Sequence, residues 1–199
     1  MLLYASSITN LTDARYFAAR EVDFLGFNLE AGTPGYLDPI YMKAMREWVE
    51  GPRIVGEFSL SAASTVLEAA DFFSLDAVCL RGERYLGDLP LFEGRTLLLE
   101  IEPGTGLAAT GQIFSQAAPW VKWFVLHFSG TSTADAPGWK ALFERYPILL
   151  QPEVSLDSLP LLVADYQPAG LLLRGGAEEQ VGVKSFEEIE AIFEALDED

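Results

Sequence analysis

The stretch YASSITNLTDARYFAAREVDFLGF, residues 4–27, carries the pattern that decides the fold. It begins with a short apolar run of strand length and ends with a second one. Between them, Leu11, Ala14 and Phe17 recur at helical spacing, and Asn10 is a favourable N-cap for that helix. A strand, an amphipathic helix and a second strand in this order predict a parallel βαβ unit.

The same alternation continues along the whole chain. Eight apolar runs of strand length occur, namely LLYASS, DFLGFNL, RIVGEFSL, DAVCLRG, TLLLEIE, KWFVLHFS, PILLQPEV and GLLLRGG. Helical patterns separate most of them, although Gly and Pro interrupt the fourth connection, ERYLGDLPLFEG. Eight evenly spaced units predict an α/β protein of the (β/α)8 TIM-barrel class, with residues 1–199 as a single domain. A doubly wound open sheet is the alternative.

Composition excludes several classes of partner and site. The chain has 30 acidic and 13 basic residues and a formal charge of −17, so nucleic acid and anionic membrane are poor partners. No apolar run reaches the ~20 residues of a membrane span, and we expect no signal peptide. Cys79 is the one cysteine, which excludes an internal disulfide and suits a cytoplasmic protein. We expect no cofactor and no metal, and either a monomer or a homodimer.

Each predicted strand ends in a polar residue. In a (β/α)8 barrel the functional face is built from the carboxyl ends of the strands, so these residues are the candidate site. They are Ser6, Asn28, Glu57, Arg81, Glu100, His127, Gln151 and Arg174. The residues form either a solvated rim of ion pairs, such as Arg81 with Glu57, or a ligand pocket.

Several segments resemble phosphoribosylanthranilate isomerase, a small (β/α)8 enzyme of tryptophan biosynthesis. SITNLTDARYFAAREVDFLGFNL is similar to the opening of that family, RIVGEFSL to its third strand, AVCLRG to its fourth and GVKSFEEIEAIFEAL to its ending. The resemblance spans essentially the whole chain. It implies the barrel fold and an Amadori rearrangement of a phosphoribosyl amine, which needs a general acid and a general base.

The resemblance also implies that the catalytic positions differ here. Ser6 stands where the family has its base, a cysteine in a lysine-x-cysteine-glycine strand, and Tyr4 stands at the lysine. His127 occupies the position of the aspartate that acts as the acid. Gly35 replaces a loop arginine, and Arg81 replaces the histidine of strand four. A serine without an adjacent base is a poor proton acceptor, so these replacements predict loss of the family reaction.

The family's phosphate site is implied to be altered as well. It has glycine-rich turns after strands seven and eight, where backbone N–H groups hold the phosphate. After strand seven, Pro152 removes an N–H donor and Glu153 adds a negative charge. After strand eight, Gly175 and Gly176 remain, directly behind Arg174.

These observations predict a homologue of phosphoribosylanthranilate isomerase that lacks the isomerase activity and binds a small anionic metabolite at the barrel mouth. The candidate catalytic residues are His127, Ser6 and Glu100. The candidate ligand-binding residues are Arg81, Arg174, Gly175, Gly176, Asn28, Glu57 and Gln151. One alternative is an active aldose–ketose isomerase with His127 as the acid. Another is a non-catalytic interaction subunit that exposes Trp120, Trp123 and Phe124 around strand six.

Overall fold

Eight parallel strands close into a barrel in chain order in the computed structural model, which describes residues 1–102, 104–130, 135–174, 178–180, 183–184 and 186–197. The strands are β1 (Leu2–Ser6), β2 (Phe24–Asn28), β3 (Arg53–Phe58), β4 (Ala77–Arg81), β5 (Leu97–Glu100), β6 (Trp123–Phe128), β7 (Ile148–Pro152) and β8 (Gly170–Arg174). Strand β8 pairs with β1 along its whole length. The closure confirms the (β/α)8 class and excludes the open sheet.

Helices surround the barrel, except in the fourth connection, where Gly and Pro leave two short 3-10 turns at Glu83–Tyr85 and Leu89–Phe92. The helices are α1 (Leu11–Ala19), α2 (Pro39–Arg46), α3 (Ala63–Phe72), α4 (Leu107–Ala117), α5 (Ala136–Arg145), α6 (Leu159–Tyr166) and α7 (Glu187–Asp197). A third 3-10 turn, Leu156–Ser158, leads into α6. Among the helices described, none is both long and apolar enough to cross a membrane.

A small antiparallel hairpin, β9 (Glu178–Gln180) and β10 (Val183–Lys184), lies between β8 and α7. The sequence pattern did not predict this hairpin. Its strands are only three and two residues long, too short to produce a recognisable alternation.

Alternate strand residues fill the barrel, and the others pack outward against the helices. The interior cluster consists of Tyr4, Phe24, Val55, Ala77, Cys79, Leu98, Val125, Leu149 and Leu172. Because side chains alternate along a strand, the residue two positions after an inward-facing residue also faces the barrel axis. This parity aims the polar strand ends at the mouth.

Aromatic side chains around β6 contribute to packing. Phe124 is fully buried, and the Trp123 ring lies edge-on to Phe24 with 5.3 Å between ring centroids. The guanidinium of Arg53 stacks 3.9 Å from the centroid of the Phe24 ring and closes the amino-terminal end of the barrel. Trp120 is partly buried against the outer core. These contacts give strand six no exposed aromatic patch of the kind that the interaction-subunit alternative invokes.

Candidate functional site

The polar residues at the strand ends meet at the carboxyl end of the barrel. Strand register places them side by side in four pairs, Ser6 with Arg174, Asn28 with Glu57, Arg81 with Glu100 and His127 with Gln151. Every one follows the inward-facing parity of its strand. The structure therefore brings all eight residues to one mouth, as the strand pattern predicts.

Five of these residues differ clearly in depth. Ser6, Glu57 and Glu100, on odd-numbered strands, are at most 5% exposed. Arg81 and Arg174, on even-numbered strands, have side chains 35% and 45% exposed. The mouth thus has a basic outer layer above two buried carboxylates.

Glu100 is the centre of the charged network. Its Oε2 accepts a hydrogen bond from Arg81 at 2.9 Å, and its Oε1 lies 2.8 Å from Nε2 of His127 and 3.7 Å from the guanidinium of Arg174. Burial by itself would raise the pKa of Glu100, but the hydrogen bond from His127 and the charge of Arg81 outweigh burial and lower it. Glu100 is therefore a carboxylate that orients three basic side chains.

His127 is held between two carboxylates. Its side chain is only 6% exposed, with Nε2 against Glu100 and Nδ1 3.5 Å from Oε1 of Glu153. The structure places Glu100 against His127 and directs Glu57 to other partners. Glu153, which follows β7, brings the negative charge predicted for that turn directly to the histidine.

Glu57 has a separate set of partners. Its Oε1 accepts hydrogen bonds from the Tyr4 hydroxyl at 2.7 Å and the Ser7 backbone N–H at 3.1 Å, and its Oε2 accepts from the Ser7 hydroxyl at 3.2 Å. Burial, followed by the charge of Glu57, raises the pKa of Tyr4 well above its usual value, so this hydroxyl keeps its proton and donates. A Cβ at Gly26 would lie 2.0 Å from Glu57 Oε1, so only glycine leaves room for this carboxylate.

Ser7 is a site residue that sequence reasoning missed. It has φ of 57°, in the left-handed region that a non-glycine residue adopts infrequently, and this turn brings its hydroxyl to Glu57. The Ser6 hydroxyl, in contrast, lies 3.2 Å from the Ser7 hydroxyl and is buried. The glycine of the lysine-x-cysteine-glycine pattern falls at position 7, and that was the available indication of an unusual backbone there.

A cavity of about 390 Å³ opens at the mouth. It is lined by Ser7, Asn28, Thr33, Pro34, Glu57, Phe58, Ser59, Cys79, Arg81, Glu100 and Arg174. Five of the predicted residues are in this set, whereas Ser6, His127 and Gln151 lie beside the lining, and Gly175 and Gly176 fall outside the described residues. Burial, and then the charge of Glu100, raises the pKa of the Cys79 thiol, so the cavity floor holds a protonated thiol.

Asn28 uses its side chain to order the loop beside the cavity. Its amide group donates to the Thr33 hydroxyl and to the Pro34 carbonyl, both at 2.9 Å, and its oxygen accepts the Glu30 backbone N–H at 3.0 Å. These contacts fix the turn that follows β2. Asn28 therefore shapes one wall of the cavity through its own loop.

Two buried polar atoms near the mouth, Arg81 Nε and Gln151 Oε1, have no hydrogen-bond partner among the described residues. Unpartnered buried polar atoms are rare in folded proteins, and they mark places where water or a ligand completes the structure. Within the part of the chain that the structure describes, no group of three or more His, Cys, Asp or Glu side chains is arranged to bind a metal ion. The site is therefore suited to binding an anion through the guanidinium groups of Arg81 and Arg174, beside the oriented imidazole of His127.

No family model matches the chain. Over 193 residues it is 24% identical to N-(5'-phosphoribosyl)anthranilate isomerase of Pseudomonas putida KT2440, covering 95% of this chain and 94% of that protein. The phosphoribosylanthranilate isomerase structure from Thermus thermophilus aligns with a TM-score of 0.78 and 24% identity over 100% and 99% of the two chains. A phosphoribosylanthranilate isomerase structure in complex with reduced 1-(o-carboxyphenylamino)-1-deoxyribulose 5-phosphate aligns with a TM-score of 0.77 and 17% identity over both full chains.

Proposed function

We propose that this chain, which belongs to the phosphoribosylanthranilate isomerase family, binds a small anionic metabolite at the barrel mouth and does not catalyse the Amadori rearrangement of that family. The observation that carries the proposal is the basic layer of Arg81 and Arg174 above the buried Glu100. The same arrangement orients both guanidinium groups at the edge of a cavity large enough for a small metabolite.

Donors remain available on both arginines. Arg174 has a side chain 45% exposed and only a 3.7 Å contact to Glu100, and Arg81 Nε has no partner within the described part of the chain. A guanidinium offers five N–H donors in a planar fork that matches a carboxylate or phosphate. An anion entering the cavity would meet the exposed guanidinium of Arg174 first.

The positions of the family's acid and base support the loss of the rearrangement. Ser6 is 1% exposed, and the partner within reach of its hydroxyl is another hydroxyl, that of Ser7. A serine activated by no base does not remove a proton from a sugar carbon at a useful rate near neutral pH. His127, at the acid position, faces carboxylates with both ring nitrogens.

An active isomerase with His127 as the acid is the second candidate. The contact of 2.8 Å between His127 Nε2 and Glu100 favours it, because a carboxylate that orients an imidazole is a common element of acid–base catalysis. This candidate requires turnover of a phosphoribosyl amine and loss of that turnover in His127→Ala. Purified protein assayed on N-(5'-phosphoribosyl)anthranilate distinguishes the two, because the first proposal predicts no conversion.

The binding half of the proposal is tested by calorimetric titration with inorganic phosphate, ribose 5-phosphate and L-lactate. We expect at least one to bind, and Arg174→Gln to weaken it by about tenfold, as the loss of a charge-assisted hydrogen bond implies. Arg95→Gln is the matched control, since Arg95 pairs with Asp71 on the outside of the barrel. Equal affinity in wild type and Arg174→Gln, or no binding at all, would contradict the proposal.

A further inference from the structure

We propose that the ligand of the mouth is zwitterionic, with its anionic group on Arg174 and Arg81 and an ammonium group on Glu57. This inference depends on the proposed anion site and narrows its ligand to the amino acid class. It is carried by Glu57, a carboxylate at the cavity wall whose hydrogen-bond partners are all neutral.

Glu57 differs from Glu100, the other buried carboxylate that lines the cavity, in its charge environment. Glu100 contacts Arg81, His127 and Arg174. Glu57 is 5% exposed, and among the described side chains no cationic group lies within 4.0 Å of it. Buried carboxylates in proteins are ordinarily paired with a positive charge. Three neutral donors position Glu57 without supplying that charge.

Arg81, on the neighbouring strand, does not supply the positive charge that Glu57 lacks. Arg81 is on the adjacent strand, β4, but its guanidinium reaches across to β5 and donates to Glu100 at 2.9 Å. Burial by itself would lower the pKa of Arg81, yet the charge of Glu100 and the hydrogen bond to Glu100 raise it, with a smaller contribution from the charge of Glu57. The arginine therefore remains a cation within the field of Glu57 but in contact with the other carboxylate.

The carboxylate and the two guanidinium groups border one cavity, so a single ligand can contact both kinds of charge. Glu57, Arg81 and Arg174 all line the same space of about 390 Å³, with Glu57 in the buried layer and the arginines in the outer layer. In an α-amino acid the ammonium is attached to the carbon next to the carboxylate, so a ligand whose carboxylate contacts the outer guanidinium groups can turn its ammonium toward the buried layer. An ammonium there provides the positive charge that Glu57 lacks, whereas a hydroxyl or methyl group does not.

The test compares matched probes that differ only in the amine. Wild-type protein is titrated calorimetrically with L-serine and L-glycerate, and with L-phenylalanine and L-phenyllactate, with inorganic phosphate as an anion that has no amine. We expect at least one amino acid to bind about tenfold or more tightly than its hydroxy-acid partner, as one hydrogen bond between charged groups implies. An amino acid that binds no better than its hydroxy acid in both pairs would overturn the inference.

Glu57→Gln tests the same point on the protein side. Glutamine can still accept from Tyr4 and from the Ser7 backbone and donate to the Ser7 hydroxyl, so the variant keeps its local contacts and loses only the charge. We expect the preference for the amino acid over its hydroxy acid to fall to about one. Glu68→Gln, an exposed carboxylate on α3, is the control and should keep the preference. A preference unchanged in Glu57→Gln would contradict the inference.

The two proposals fail differently. Hydroxy acids or phosphate that bind without any preference for the amine would remove the zwitterion inference and leave the anion site intact. No binding of any probe would remove the anion site and the inference with it. The wild-type comparison of matched probes needs no variant, so it decides the inference even where Glu57→Gln does not fold.

Discussion

Gly26 is the residue on which the arrangement of Glu57 depends most directly. A Cβ at this position would lie 2.0 Å from Glu57 Oε1 and 2.6 Å from the Tyr4 hydroxyl. We expect Gly26→Ala to displace that carboxylate and to lower the free energy of unfolding by roughly 1–3 kcal/mol, as overpacking of a filled interior does. Urea denaturation measures the change.

Gly111→Ala is the matched control for Gly26→Ala. Gly111 lies within α4, and the nearest atom that its added Cβ would meet is a methyl group of Leu142 at 3.7 Å, an ordinary contact. Alanine in a helix interior is favoured over glycine by roughly 0.5–1 kcal/mol, so this variant should be more stable than wild type. Equal stability of wild type and Gly26→Ala would show that the barrel interior accommodates the methyl group.

Glu100 should contribute stability that depends on pH. The surroundings lower its pKa in the folded state, so its contribution is fully present above the unfolded pKa and is lost as pH falls through the lowered folded pKa. We expect Glu100→Gln to be less stable than wild type at about pH 7, with the difference shrinking as pH falls from about 5 to about 3. Chemical denaturation of both proteins across that range measures it, and a difference independent of pH would be inconsistent with this assignment.

At the scale of elements, Glu30 connects two loops of the mouth. Its carboxylate is 6% exposed and accepts the backbone N–H groups of Ser59, Leu60 and Ser61 at 2.9 to 3.1 Å, together with the Ser61 hydroxyl at 2.8 Å. These contacts hold the β3–α3 loop against the end of β2. Burial by itself would raise the pKa of Glu30, and the hydrogen bonds from the loop outweigh it and lower the pKa.

Replacement of Glu30 by Gln should loosen this loop. A glutamine can keep its one carbonyl oxygen on the three backbone N–H groups and turn its N–H₂ toward the Ser61 hydroxyl, but it lacks the negative charge that strengthens these hydrogen bonds, so we expect a loss of about 2 kcal/mol in the free energy of unfolding. Faster amide exchange confined to residues 59–61 should accompany it. Glu68→Gln, on the exposed face of α3, should change neither quantity. Unchanged protection at 59–61 would argue against this role of Glu30.

Strand and helix order was predictable because each unit is local, with apolar runs, caps such as Asn10 and helical spacing within a few residues. The sequence also predicted which residues lie at the mouth, because side chains alternate along each strand and those of Glu57 and Arg81, at the strand ends, therefore point inward. The sequence did not predict which charged side chains would form ion pairs. Arg81 contacts Glu100 rather than Glu57 because side-chain reach across strands, together with the positive φ at Ser7, decides the partners.

At the scale of the whole molecule, the formal charge of −17 means that acidic side chains repel one another across the surface. Self-repulsion among like charges destabilises the compact state, and salt screens it over about 10 Å at 0.1 M. We expect the thermal midpoint to rise as NaCl increases from about 10 mM to about 0.5 M. Arg174→Gln should show the same rise, because the effect belongs to the whole surface and not to the mouth. A midpoint that falls with salt would show that attractive ion pairs dominate.

We propose that this barrel, which is similar to phosphoribosylanthranilate isomerase, binds a small ligand at its mouth and does not catalyse the Amadori reaction. Expression of the chain in a tryptophan auxotroph that lacks the isomerase tests it most directly, with the Pseudomonas putida relative as the positive control and expression of both proteins verified. We predict growth without tryptophan for the control and none for this chain. Robust growth supported by this chain would contradict the claim and restore the active isomerase with His127 as its acid.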